Sequence, residues 1–154
     1  YPTFYKLTHS EPALLAKAVY GLPELFREGL GGQRFIANPG CYPTAAALSV
    51  APLLRAGLVE LDSIVINAAS GVSGAGRKAS EEYTFMEIDA DFRAYKVLGH
   101  QHTPEIEQTL STVAGAPVSI VFTPHLLLMK RGILSTATVL LKNGVSGADV
   151  QVQN

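Results

Sequence analysis

The chain has 154 residues, 47% of them hydrophobic and 16% charged, and its formal net charge is −1. That length suits about one domain, and the apolar bias suits a sheet with both faces covered or a surface buried against a partner. No basic stripe points to nucleic acid, and no apolar run reaches the roughly 18 residues of a membrane span.

The opening "YPTFYKLTHSEP" does not read as a secretory leader. One cysteine cannot close an internal disulfide, which fits a reducing, cytoplasmic setting. The ends read as an excerpt from a longer protein. No methionine begins the chain, and Ser146 and Asp149 look like a helix start with no helix after them.

Taken in order, "SEPALLAKAVY" (10–20) predicts a helix with Ser10 as N-cap, Pro12 in the first turn and Gly21 as the stop. A turn-rich link leads to a brief strand, "RFIAN" (34–38). The alanine-rich stretch from Thr44 to Leu58 predicts a helix kinked at Pro52. "SIVINAAS" (63–70) reads as a strand buried on both faces, followed by the glycine-rich loop "GVSGAGRKAS". Residues 80–94 are mixed. "AYKVL" (94–98) predicts a strand, and Thr103 and Pro104 predict the cap and first residue of the next helix. "PVSIVFTP" (117–124) and the alternating "GILSTATVLLK" (132–142) predict two more strands. The fold class is α/β, with a mixed α+β sheet.

Three places could carry chemistry. In "ANPGCYPTAAAL" (37–48), Cys41 follows a Pro-Gly step and precedes a helix. Unpaired N–H groups at a helix start favour a thiolate, and could also stabilise an oxyanion once that sulfur attacks a carbonyl. The bland reading is a small buried hydrophobe.

His100 and His102 flank Gln101 just before a helix. As metal ligands they lack partners, since His9, His125 and one cysteine have no ligand-like spacing. A histidine paired with a cysteine nucleophile is the better use, because a thiohemiacetal must gain and lose a proton. Glu105 could orient an imidazole, or simply face the helix dipole.

In "SGVSGAGRK" (70–78), Arg77 stands where a Walker A loop needs lysine, and the glycines reverse the dinucleotide fingerprint. What remains is a turn lined with N–H groups and two cations, a cradle for phosphate or a cofactor's amide, or an ordinary loop.

"VYGLPEL", "NPGCYPTAA", "SGVSGAGRK", "GHQHTPEI" and "FTPHLLLMKRGILST", in that order, resemble the N-acetyl-γ-glutamyl-phosphate reductase family along nearly the whole chain. That family is related to aspartate-semialdehyde dehydrogenase. The resemblance implies an NADPH-dependent oxidoreductase of arginine biosynthesis that reduces an acyl phosphate to a semialdehyde through a cysteine thioester.

By this resemblance Cys41 is the nucleophile, and His100 or His102 (the latter preferred) is the acid/base. Ser70, Gly71, Ser73 and Gly74 lie near the nicotinamide of NADP, Arg77 and Glu105 meet the substrate, and no metal is used. Residues 1–38 would end the NADP-binding part, and residues 39–154 would form an incomplete catalytic and dimerisation domain. Most of the NADP site would lie outside this chain, leaving the fragment inactive, and a homo-oligomer is implied. Two alternatives share these features: an aminoadipyl-phosphate reductase of lysine biosynthesis, and a non-catalytic subunit-interaction domain.

Overall fold

A computed structural model describes residues 2–76 and 80–151. Two short helices, α1 (Pro2–Tyr5) and α2 (Pro12–Leu15), precede strand β1 (Val19–Tyr20). Helix α3 (Pro23–Phe26) and strand β2 (Ile36–Ala37) follow, and β1 pairs in parallel with β2. The expected helix over 10–20 is therefore only one turn. Glu11, not Ser10, caps it ahead of Pro12. β-branched Val19 and aromatic Tyr20 then take the extended backbone they favour.

Helix α4 runs from Cys41 to Arg55, three residues earlier than Thr44. Gly40 is its extended N-cap, and Pro43, with fixed φ and no N–H to satisfy, suits the first turn. Thr44 lies in the first turn, its N–H and hydroxyl both donating to the Gly40 carbonyl at 3.0 and 2.9 Å. The helix continues past Pro52, the C-terminal turn closing with the Ala56 N–H on the Pro52 carbonyl.

Strand β3 (Ile64–Gly71) leads into a 3₁₀ turn at Val72–Ala75, then α5 (Phe85–Ile88), β4 (Phe92–Ala94) and α6 (Thr103–Ala114). Strands β5 (Ile120–Leu127) and β6 (Ile133–Thr138) complete a mixed sheet of order β4-β5-β3-β6. β3 runs parallel to β5 and antiparallel to β6, as a crossover through α6 requires. The expected strand at 94–98 is displaced. Lys96 and Leu98 have left-handed φ of 43° and 56°, so the chain is turning there.

β4 stops at Ala94 for a reason written in β5. Pro124 accepts the Tyr95 N–H at its carbonyl but has no N–H to return on that side. β5 itself runs through Pro124 to Leu127, past the predicted end. Ser146 does start a helix, α7 (Gly147–Gln151), with its N–H and hydroxyl both on Asp149 Oδ2.

The core lies between the sheet and the pair α4/α6. Ile64, Ile66 and Ala68 of β3 and Phe122 of β5 meet Ala46, Ala47, Val50 and Leu54 of α4 and Ile106 and Leu110 of α6. Alanines at the contact let α4 sit close to its neighbours. β3 is not buried on both faces as expected: Asn67 is exposed, and Val65 and Ala69 are half-buried. Both long helices cover the same side of the sheet, leaving the other open among the described residues.

Candidate active site

Cys41 is the first residue of α4, and its thiol is exposed. The next two residues, Tyr42 and Pro43, are buried and anchor that end of the helix. Among the described residues, no side chain caps the terminus. Pro43 offers no N–H and that of Thr44 is already used on Gly40. The N–H groups of Cys41 and Tyr42 are thus the ones left to face an anion.

α6 brings the histidines to this terminus. His102 is its N-cap, taking the place expected of Thr103, and its imidazole lies flat against Gly40. A Cβ added at Gly40 would stand 2.7 Å from His102 Nε2 and 2.9 Å from Cε1. Only glycine permits that approach, immediately before the thiol.

His100 sits deeper, 4% exposed, with its ring edge-on to Tyr42 at 5.4 Å, Phe122 at 5.6 Å and Tyr95 at 5.7 Å. Its Nδ1 accepts the His102 N–H at 3.1 Å, so the neutral ring carries its proton on Nε2. His102 Nδ1 is buried and has no hydrogen-bond partner among the described residues.

Burial lowers His100 to about 4, with His102 and Lys96 adding to the effect. Burial also lowers His102, which Glu105 partly opposes and Lys96 reinforces. Both rings are therefore neutral at pH 7.

A stability consequence follows for His100. Its folded value lies below the ordinary 6.5, so the unfolded chain takes up the proton first. This contribution is fully present above the ordinary 6.5 and is lost as pH falls from there to about 4. The expected loss is of order 1–3 kcal/mol. Urea unfolding of the chain across that window should show it, and His100→Gln should flatten the slope. An unchanged slope in the variant would contradict this origin.

Glu105, the third residue of α6, spends Oε1 within the protein: it accepts the Tyr20 hydroxyl at 2.8 Å and the Gly40 N–H at 2.9 Å. Tyr42 donates to the His125 carbonyl at 3.3 Å and receives the Tyr95 hydroxyl at 3.0 Å. Burial pushes Tyr42 up, while hydrogen bonding with Tyr95 and Ser70 opposes it. Through Tyr42, Ser70 joins the same cluster.

Part of the N–H set that the sequence offers as a cradle in the glycine-rich loop is already paired. The N–H groups of Gly71, Val72 and Ser73 donate to the carbonyls of Gly132, Met129 and Lys130 at 3.0, 2.9 and 3.2 Å. A Cβ at Gly71 would meet the Met129 carbonyl at 2.8 Å, so glycine there serves this close pairing. Ser70 and Gly71 are buried, whereas Ser73 and Gly74 are exposed. Arg77 and Lys78 lie outside the described residues. Among the described residues, no group of three His, Cys, Asp or Glu side chains could hold a metal.

The structure thus gathers Cys41, His100, His102, Glu105 and Ser70 at one end of the sheet. Sequence reasoning passed over Gly40 and Tyr42 as individual participants. Their signal was adjacency to Cys41 in "PGCYP".

Comparison with known proteins places the chain in a family. The profile described as "Semialdehyde dehydrogenase, dimerisation domain" matches residues 41–153. An N-acetyl-gamma-glutamyl-phosphate reductase of Symbiobacterium thermophilum is 56% identical over 143 residues, covering 92% of this chain and 41% of that protein. One from Heliobacterium modesticaldum is 50% identical over 157 aligned positions, covering 100% and 45%. The chain therefore spans less than half the length of these curated relatives.

Among solved structures, aspartate semialdehyde dehydrogenase II from Vibrio cholerae shares the fold, with a TM-score of 0.69 at 15% identity over 90% of this chain and 48% of that one. The Candida albicans aspartate semialdehyde dehydrogenase with NADP gives 0.57 at 13% identity, over 89% and 44%. The chain belongs to the semialdehyde dehydrogenase dimerisation-domain family.

Proposed function

We propose that this chain carries the nucleophile and the proton-transfer group of a cytoplasmic, NADPH-dependent reductase in arginine biosynthesis. The reductase converts N-acetyl-γ-glutamyl phosphate to N-acetylglutamate 5-semialdehyde. The observation that carries the reading is an exposed Cys41 at an uncapped helix start with His102 packed against the residue before it. The identity to curated reductases of that name supports the substrate.

Cys41 thiolate attacks the γ-acyl carbon, and charge on the acyl oxygen is drawn to the Cys41 and Tyr42 N–H groups. The carbon–oxygen bond to phosphate then breaks, leaving a thioester on Cys41. NADPH, when bound, supplies the hydride that reduces this thioester. Collapse of the resulting thiohemiacetal releases the aldehyde and returns the thiolate. His102 handles the proton of the thiohemiacetal oxygen. Kept neutral by burial, it is ready to accept that proton when the reaction runs towards aldehyde oxidation.

Ser73 and Gly74, both exposed, would lie near the nicotinamide. Buried Ser70 and Gly71 would hold the turn from beneath. Arg77 would hold an anionic part of the substrate. Residues 1–38 would end the NADP-binding part and 39–154 form the catalytic domain, with most of the cofactor site supplied by residues outside this chain. Alone, the chain would bind NADPH poorly and be inactive.

The test is phosphate- and NADP-dependent oxidation of the semialdehyde by the full-length reductase. One methylene of difference in the substrate should favour the glutamate compound over its aminoadipate homologue by about 10- to 200-fold in kcat/KM. Equal or reversed preference would overturn the substrate assignment.

The open sheet face supports a homo-oligomer. Phe92, Val121 and Leu134 share that face by register and are 61%, 46% and 69% exposed. A patch of this kind is what an obligate interface covers. Leu134→Arg is expected to turn a dimer into a monomer in light scattering. A monomeric wild type would contradict the assignment.

A further inference from the structure

We propose that the open face of the sheet meets the same face of a second copy of this chain, with Asn67 at the two-fold axis facing its own counterpart. The inference rests on the homo-oligomer reading above and deepens it by naming the residue that sets the register of the two copies.

Strand register divides the open face into rows. Ala69 of β3 lies beside His125 of β5 and Leu134 of β6, and Val65 lies beside Val121 and Thr138. Between these rows, Asn67 stands between Thr123 and Thr136. Phe92 of β4 extends the apolar side, its ring stacked on that of His125 at 5.2 Å. The chain has 12 Lys and Arg and 13 Asp and Glu, yet among the described residues none occupies these positions. A face left to water reads as polar, whereas the centre of a protein interface is depleted of charge.

The absence of charge also selects the occupant. In an isologous contact a side chain on the axis meets its own copy, so a charge there repels itself. An amide carries both donors and an acceptor and can pair with an identical amide. Stacked sheets lie about 10 Å apart, a gap that two facing amides and the hydrogen bond between them fill. Asn67 also suits a free-standing strand poorly: Asn is depleted in strands, and here it interrupts an apolar run from Ile64 to Ala69. Its side chain and those of Thr123 and Thr136 form no hydrogen bond to another described residue, which leaves all three free to bond a facing surface. A polar group in an otherwise apolar contact fixes register, because a shifted pairing buries it against carbon.

The experiment places opposite charges at this position in the full-length reductase. Asn67→Asp and Asn67→Lys should each raise the dimer dissociation constant at least about 100-fold in sedimentation, since each sets like charges face to face. Mixed in equal amounts, they should form the heterodimer in clear excess over random mixing in native mass spectrometry. Its dissociation constant should lie within about tenfold of wild type. Thr138 is the control, because strand spacing puts it about 8 Å from Asn67 and two copies of it roughly twice as far apart. Thr138→Asp mixed with Thr138→Lys should show no preference for the mixed pair.

Asn67 variants that dimerise as the wild type does would overturn the proposal while leaving the homo-oligomer reading intact. So would dissociated variants that mixing fails to rejoin, a result that keeps Asn67 in the contact but off its axis. A monomeric wild type would overturn both and give the open face to residues outside this chain.

Discussion

Replacing Cys41 by serine in the full-length reductase is expected to lower phosphate-dependent aldehyde oxidation by at least about 10³-fold. A serine hydroxyl fits the same place at the start of α4, so the fold should be unaffected, and circular dichroism would verify that. What is lost is chemical. An alkoxide is scarcely populated at neutral pH, and an ester is a poorer hydride acceptor than a thioester. Because Cys41 is exposed and adds nothing to the core, residual turnover within about tenfold of wild type would exclude a covalent role for it.

Gly40→Ala is the second large effect, and it removes no reactive group. The new methyl would stand 2.7 Å from His102 Nε2 and must be relieved by movement of one partner. The ring cannot withdraw freely, since His100 lies 4.8 Å and Tyr42 6.1 Å from it, centroid to centroid. If the turn moves instead, the 2.9 Å bond from the Gly40 N–H to Glu105 is lost. Either way nucleophile and imidazole separate, and a displacement of about 1 Å is worth roughly 10² in rate. Overpacking should also cost about 1–3 kcal/mol of stability, seen as a lower urea midpoint. Turnover within about threefold of wild type would show that His102 does not act where it stands.

The sequence carried the class of the fold because its strongest signals were local. Apolar runs at 63–70 and 117–124 marked β3 and β5, and the alternation after Gly132 marked β6. Its errors have physical causes outside each segment. Pro124 ended β4 from the neighbouring strand, and Val19 and Tyr20 left the predicted helix to pair with Ile36 and Ala37.

The site divides in the same way. Cys41 and the two histidines stood out as candidates because their residue types are chemically uncommon and their spacing is short. The contacts that organise them were not. Glu105 reaches Gly40 across 65 residues, and the loop amides at 71–73 are taken by carbonyls at 129–132. No pattern within a loop announces that its N–H groups are already spent on another.

The most direct test of the central claim leaves out the reductant. Full-length enzyme mixed with N-acetyl-γ-glutamyl phosphate and no NADPH should release close to one equivalent of phosphate per active site in a burst. Digestion at low pH should then place an N-acetylglutamyl group on the peptide containing Cys41. Absence of both the burst and the adduct, from an enzyme that turns over normally once NADPH is added, would contradict the account.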